Sequence, residues 1–175
     1  MDNKLSPQEI VDQAKQTYQA GDYPLAAEIF AKAASVYTEM GDVLMAAEMH
    51  NNQSVALLQA KQPQAALEVV QGTEEVFAQA GDFRREGMAL ANQASALQAL
   101  RRHKEAIDSF TKAGEALQKA DEGELRVGVM QLLSLLYLRH FKFYEAVLAL
   151  QSGLSGVKNP TFKQRFMKKI LFMRL

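Results

Sequence analysis

The ten residues Gly21-Asp22-Tyr23-Pro24-Leu25-Ala26-Ala27-Glu28-Ile29-Phe30 set a pattern that the chain repeats three more times. Forty residues on stands Lys61-Gln62-Pro63-Gln64-Ala65-Ala66-Leu67-Glu68-Val69-Val70. A further forty gives Arg101-Arg102-His103-Lys104-Glu105-Ala106-Ile107-Asp108-Ser109-Phe110, and the last copy is Phe141-Lys142-Phe143-Tyr144-Glu145-Ala146-Val147-Leu148-Ala149-Leu150. Each copy holds a polar or turn-forming pair, a helix start, an alanine and a large apolar residue four later. A period in this range means stacked supersecondary units, each burying a face on its neighbours.

Working outward, helical spacing continues on both sides. Ser6-Pro7-Gln8-Glu9 combines a serine N-cap, proline at the first helical position and a glutamate three after the cap, which is a capping box. Ile10, Val11, Ala14 and Tyr18 then recur at three- and four-residue spacing, so one face is apolar. Gly-Asp at 21–22, 41–42 and 81–82 stops one helix in a left-handed glycine and caps the next with aspartate. Helices are expected over about 6–20, 23–40, 43–60, 63–80, 83–100, 103–120, 124–140 and 143–157. Loops of two to four residues make successive helices antiparallel neighbours. No segment sustains the period of two that a strand needs.

The register also holds in the first helix of each pair. A small residue recurs at Ala14, Ser54, Ala94 and Ser134, with Leu57, Leu97 and Tyr137 three later; Thr17 departs, and Tyr18 beside it fills the place. In the second helix the small residues Ala26, Ala66, Ala106 and Ala146 precede Phe30, Val70, Phe110 and Leu150. Ala33, Thr73, Ala113 and Gly153 follow. Small residues let two backbones approach, and large ones fill the gap left by the crossing.

This pattern resembles the tetratricopeptide repeat over about residues 6–157, with a period of forty in place of thirty-four. It is similar to the longer variant of bacterial signalling regulators and of scaffold proteins of the kinesin light chain and Leu-Gly-Asn-repeat type. The resemblance implies an all-α fold: a right-handed superhelix, or solenoid, of four helix pairs in one domain. The pairs span about 6–40, 43–80, 83–120 and 123–157, with a basic capping helix at about 161–175. In that tail Phe162, Phe166, Ile170 and Met173 form one stripe beside Lys163, Arg165, Lys168 and Lys169. A cap on the last pair is the expectation; a membrane-surface helix and a chain continuing past Leu175 are the alternatives.

Composition is consistent with a folded, non-secreted chain. Hydrophobic residues make up 48% and charged ones 23%, which places it among globular proteins. Cysteine is absent, so disulfides and thiolate metal sites are excluded. No leader and no apolar run long enough to span a membrane is visible, and a cytoplasmic location is expected. The formal charge of zero hides an asymmetry: residues 1–122 carry 11 Lys+Arg against 18 Asp+Glu, and residues 123–175 carry 9 against 2. Such a dipole bears on partners and self-association.

No catalytic residue, cofactor or metal is expected. His50, His103 and His140 fall on different helices or at their ends, without the spacing of a metal-binding helix face. Glu74-Glu75 and Asp121-Glu122 are adjacent, so their side chains diverge on a helix. Arg84-Arg85 and Arg101-Arg102 lack interleaved aromatic platforms and sit in a net acidic region, which argues against nucleic acid.

Function is then expected on the concave wall, where first helices of such arrays hold a peptide or helix of a partner protein. Carried over from the resemblance, the groove positions are Lys15, Glu48, Asn51, Asn52, Val55, Gln59, Met88, Asn92, Ser95, Gln131, Leu135 and Arg139. Asn52 and Asn92 occupy equivalent places, where related proteins hold a ligand's backbone or terminal carboxylate. They are expected to be replaceable by alanine without loss of stability. Glu48 and Met88 stand where a chaperone-type carboxylate clamp has basic residues, which argues against a chaperone C-terminus. Leu135 and Leu138 make that end of the groove apolar. A homo-oligomer joined through the basic tail, or a membrane-surface adaptor, is the alternative to a protein-binding scaffold.

Overall fold

The computed structural model describes residues 5–171. First helices of the pairs are α1 (Pro7–Gln19), α3 (Val43–Gln59), α6 (Phe83–Ala99) and α8 (Gly123–Arg139). Second helices are α2 (Tyr23–Glu39), α4 (Pro63–Val70) with α5 (Thr73–Gln79), α7 (His103–Lys119) and α9 (Phe143–Ser155). A final helix, α10 (Phe162–Leu171), follows. Apart from α4 and α5, each helix packs on its sequence neighbours, and α3 and α4 also pack on α6, so the pairs stack into an all-α superhelix.

The joints explain the regular stacking. At Gly21 the backbone N–H donates to Tyr18 O, and that of Asp22 to Thr17 O. These two bonds make a Schellman motif, which needs a left-handed residue between them. Gly21, Gly41 and Gly81 supply it with φ of 86°, 77° and 72°. Lys61, Arg101, Asp121 and Phe141 adopt it with φ of 60°, 60°, 58° and 57° despite their side chains. Each of these four costs roughly 1 kcal/mol or more, and the stacking that the shared joint permits offsets it. Asp22, Asp42 and Asp82 then cap the next helices, accepting from Leu25, Met45 and Arg85 N–H at 3.2, 3.0 and 2.9 Å.

Burial pushes the Asp82 carboxyl up, but hydrogen bonds from the Arg85 N–H and guanidinium outweigh it and hold it below its ordinary value. A lowered folded-state pKa contributes stability that is complete above the unfolded value, near 4, and is lost as pH falls through the folded value. Asp82→Ala is therefore expected to cost about 1 kcal/mol at neutral pH. In melts followed by circular dichroism the gap to wild type should narrow as pH falls below the unfolded value of about 4. A gap that stays constant there would assign the effect to packing.

The register residues form the core. Ala14, Ala26, Ala66, Ala94 and Ala106 are fully buried, as are Ser54, Val70 and Phe110. Tyr18 packs half-buried against the same core, the role expected of it. One expected helix is interrupted: residues 63–80 form α4 and α5, parted at Gln71-Gly72, where Gly72 turns left-handed at φ 88°. Thr73 Oγ1 closes the break on Val70 O at 2.7 Å, and Glu74 Oε2 accepts from Gly72 N–H at 2.9 Å. Helix periodicity runs through the break, which is why the spacing alone did not reveal it.

The tail caps the last pair, though with a different face. Met167 and Leu171 pack on Val127, Leu154 and Val157, while Phe162, Phe166 and Ile170 point to solvent. Met173 of the expected stripe, and Arg174, lie outside the described residues.

Candidate partner-binding site

At matching places of the register the first helices carry Lys15 and Gln19 on α1, then Glu48, Asn52, Val55 and Gln59 on α3. Met88, Asn92 and Ser95 follow on α6, and Leu132, Leu135 and Arg139 on α8; all are exposed or half-buried. Polar residues dominate the first two repeats. At the other end Met88, Leu132, Leu135 and Leu138 are exposed large apolar groups. Exposed apolar residues gathered on one face of an array are where a partner's apolar side chains dock.

The structure brings some expected residues together and commits others elsewhere. Lys15, Asn52 and Val55 line a depression of about 160 Å³ with Tyr18, Gln19 and Phe30. Asn51 is buried instead of lining the groove, and its Oδ1 accepts from Asn92 Nδ2 at 2.9 Å, joining α3 to α6. The equivalent pair Asn52 and Asn92 therefore divides: Asn92 stitches adjacent repeats, and Asn52 faces the depression. Glu48 accepts from Arg85 Nη1 at 3.0 Å. Ser95 Oγ donates to Ala91 O at 2.8 Å. Gln59, Gln131 and Arg139 are exposed.

Three of the four arginines in the basic pairs are engaged with the chain's own acids. Arg84 meets Glu122 at 2.9 Å, Arg85 bridges Glu48 and Asp82, and Arg102 holds Glu105 at 2.6 Å. Arg126 is buried at 7% exposure. Its Nε donates to Gly114 O at 3.2 Å and its Nη2 to Ser152 Oγ at 2.7 Å, tying α7, α8 and α9 together. Burial lowers its pKa, and its register mates are Ala46 and Glu86.

Two features escaped the sequence reading. The rings of His103 and His140 stand 4.4 Å apart between centroids. They are 37 residues apart in sequence, but the start of one repeat's second helix meets the end of the next repeat's first helix, a placement that only the stacking creates. Among the described residues no group of three or more His, Cys, Asp or Glu could hold a metal ion. The second feature is a cleft of about 720 Å³ on the opposite face, between α4–α5 and α7, with Leu90 and Leu97 of α6 among its lining. The left-handed Gly72 was its one local signal.

Among the described residues no helix is long and apolar enough to cross a membrane. No curated protein matches the chain closely. The family model described as soluble NSF attachment protein, SNAP, matches residues 6–171, which takes in α1 through α10. A match over nearly the whole length agrees with the stacked helix pairs, and the chain belongs to the soluble NSF attachment protein family.

Proposed function

We propose that this chain is a non-enzymatic adaptor that holds a peptide or helix of a partner protein along its first-helix wall, in the manner of long tetratricopeptide arrays. One observation carries the reading: Met88, Leu132, Leu135 and Leu138 are exposed on the first helices α6 and α8, while α1 and α3 expose Lys15 and Gln59 and leave Asn52 half-buried. A polar stretch running into an apolar one suits an amphipathic segment, whose backbone or polar side chains meet amides and whose apolar residues meet leucines. The family's name records attachment to a protein called NSF, so purified NSF is the first protein to titrate.

Binding is expected to weaken about tenfold or more with Leu135→Glu, because the substitution places a charge in an apolar contact. Asn52→Ala should weaken binding and leave thermal unfolding unchanged. Asn92→Ala should lower stability by about 1–3 kcal/mol, because it leaves the buried Asn51 Oδ1 without its donor. A photo-crosslinker at Met88 or Leu135 is expected to capture a partner from cell extract, and one at Lys32 on α2 is not. Capture equal from both faces, or binding indifferent to Leu135→Glu, would overturn the proposal.

A further inference from the structure

We propose that the cleft between α4–α5 and α7 is the seat for α10 of a second copy of this chain. The second helix of its repeat breaks at Gln71-Gly72, and Gln71 is among the lining of the cleft. Its floor is closed by the edges of the buried core residues Leu67, Leu90 and Leu97, and six acids line it: Glu74, Glu75, Glu86, Glu105, Asp108 and Glu115. Four cations share the lining. Arg102 is tied to Glu105, Lys112 to Asp108, and Lys119 lies over the Phe83 ring, which leaves Lys104. Glu75, Glu86 and Glu115 form no ion pair among the described residues. Glu86 is the most telling of these, because its Oε2 is buried without a hydrogen-bond partner. A buried carboxylate oxygen with no donor is costly until a donor arrives.

The chain carries a matching insert. Residues 146–175 contain six Lys+Arg and no acid. On α10, Phe162, Phe166 and Ile170 form a row at four-residue spacing and are 88%, 59% and 54% exposed. Lys163 and Lys169 are exposed beside it. A helix edge whose apolar row is flanked by cations is the electrostatic complement of a cleft rimmed by acids over a floor closed by leucines. The other side of α10 is already held to its own body through Met167 and Leu171, so the row faces outward. Reciprocal seating of two tails in two clefts closes a pair by two-fold symmetry.

Light scattering of the full chain tests this. At about 0.05 M salt the mass is expected above the 19.4 kDa of one copy, and at about 0.5 M salt it should fall back, because screening weakens charge attraction. Glu75→Lys and Lys169→Glu each reverse one exposed charge and should each give monomer at low salt. Mixing the two variants should restore assembly. In the mixed pair one seat joins the two reversed charges, and the other joins an unaltered cleft to an unaltered tail. Glu86→Gln should weaken assembly without lowering the melting temperature. A wild type that is monomeric at both salts overturns the proposal, as does an assembly indifferent to Glu75→Lys. Binding of α10 to anionic phospholipid vesicles by a chain that stays monomeric assigns the row to a membrane and overturns it too. These outcomes differ from failure of the first-helix wall, which Leu135→Glu reads separately.

Discussion

Phe110→Ala is expected to lower the free energy of unfolding by about 3–5 kcal/mol, which is the range for removing a fully buried phenylalanine and leaving its cavity. Phe110 is fully buried in α7, in the main core and at the interior of the stack. Total stabilities are only about 5–15 kcal/mol, so the loss takes a large share. Position in the array makes the test specific. Leu150 holds the same register place in the last pair, but it is only half-buried, so less apolar surface returns to water when it is cut back. Urea titration of both variants should show the larger midpoint shift for Phe110→Ala. Equal shifts would mean that the last pair is packed as tightly as the interior ones.

Two glycines of α8 should respond to the same substitution with opposite signs. A Cβ on Gly123 would stand 2.7 Å from Gly156 O and 3.4 Å from the Val157 Cα, both backbone atoms that no rotamer change can move. The joint between α8 and the end of α9 must open, and Gly123→Ala is expected to cost about 1–3 kcal/mol. A Cβ on Gly128 would meet nothing within 4 Å. That residue is exposed in the helix interior, so Gly128→Ala should raise stability by about 0.5–1 kcal/mol through chain entropy alone. Calorimetric melts of the two variants are the measurement. If both lower the melting temperature, the close approach at Gly123 is not what sets the sign.

The two sets of variants probe different layers of information. Helix positions, caps and the buried small and large residues were legible in the chain because they rest on local chemistry. Ser6 with Glu9, the Gly-Asp joints and the forty-residue spacing of Ala26, Ala66, Ala106 and Ala146 each act over a few residues or repeat strictly. The break at Gly72 was not legible, since the apolar period continues across it and one glycine inside a helical pattern is common. The surroundings of the individual residues expected in the groove were not legible. Asn51, Asn52 and Asn92 are the same residue type at similar register, and only the crossing of α3 on α6 buries one and turns another towards it.

By itself, then, the sequence determined an array of stacked helix pairs, its register, its core and its charge asymmetry. Those properties follow from periodicity, capping chemistry and composition. Tertiary structure alone decided that Asn92 serves stability while Asn52 faces a depression, and that His103 meets His140. It alone placed Phe162, Phe166 and Ile170 outward, and put a cleft of about 720 Å³ on the side away from the expected groove. The physical reason is that such placements depend on how one repeat rotates and settles on the next. That relation is set by many small packing contacts between residues forty apart, and no short stretch of chain contains it.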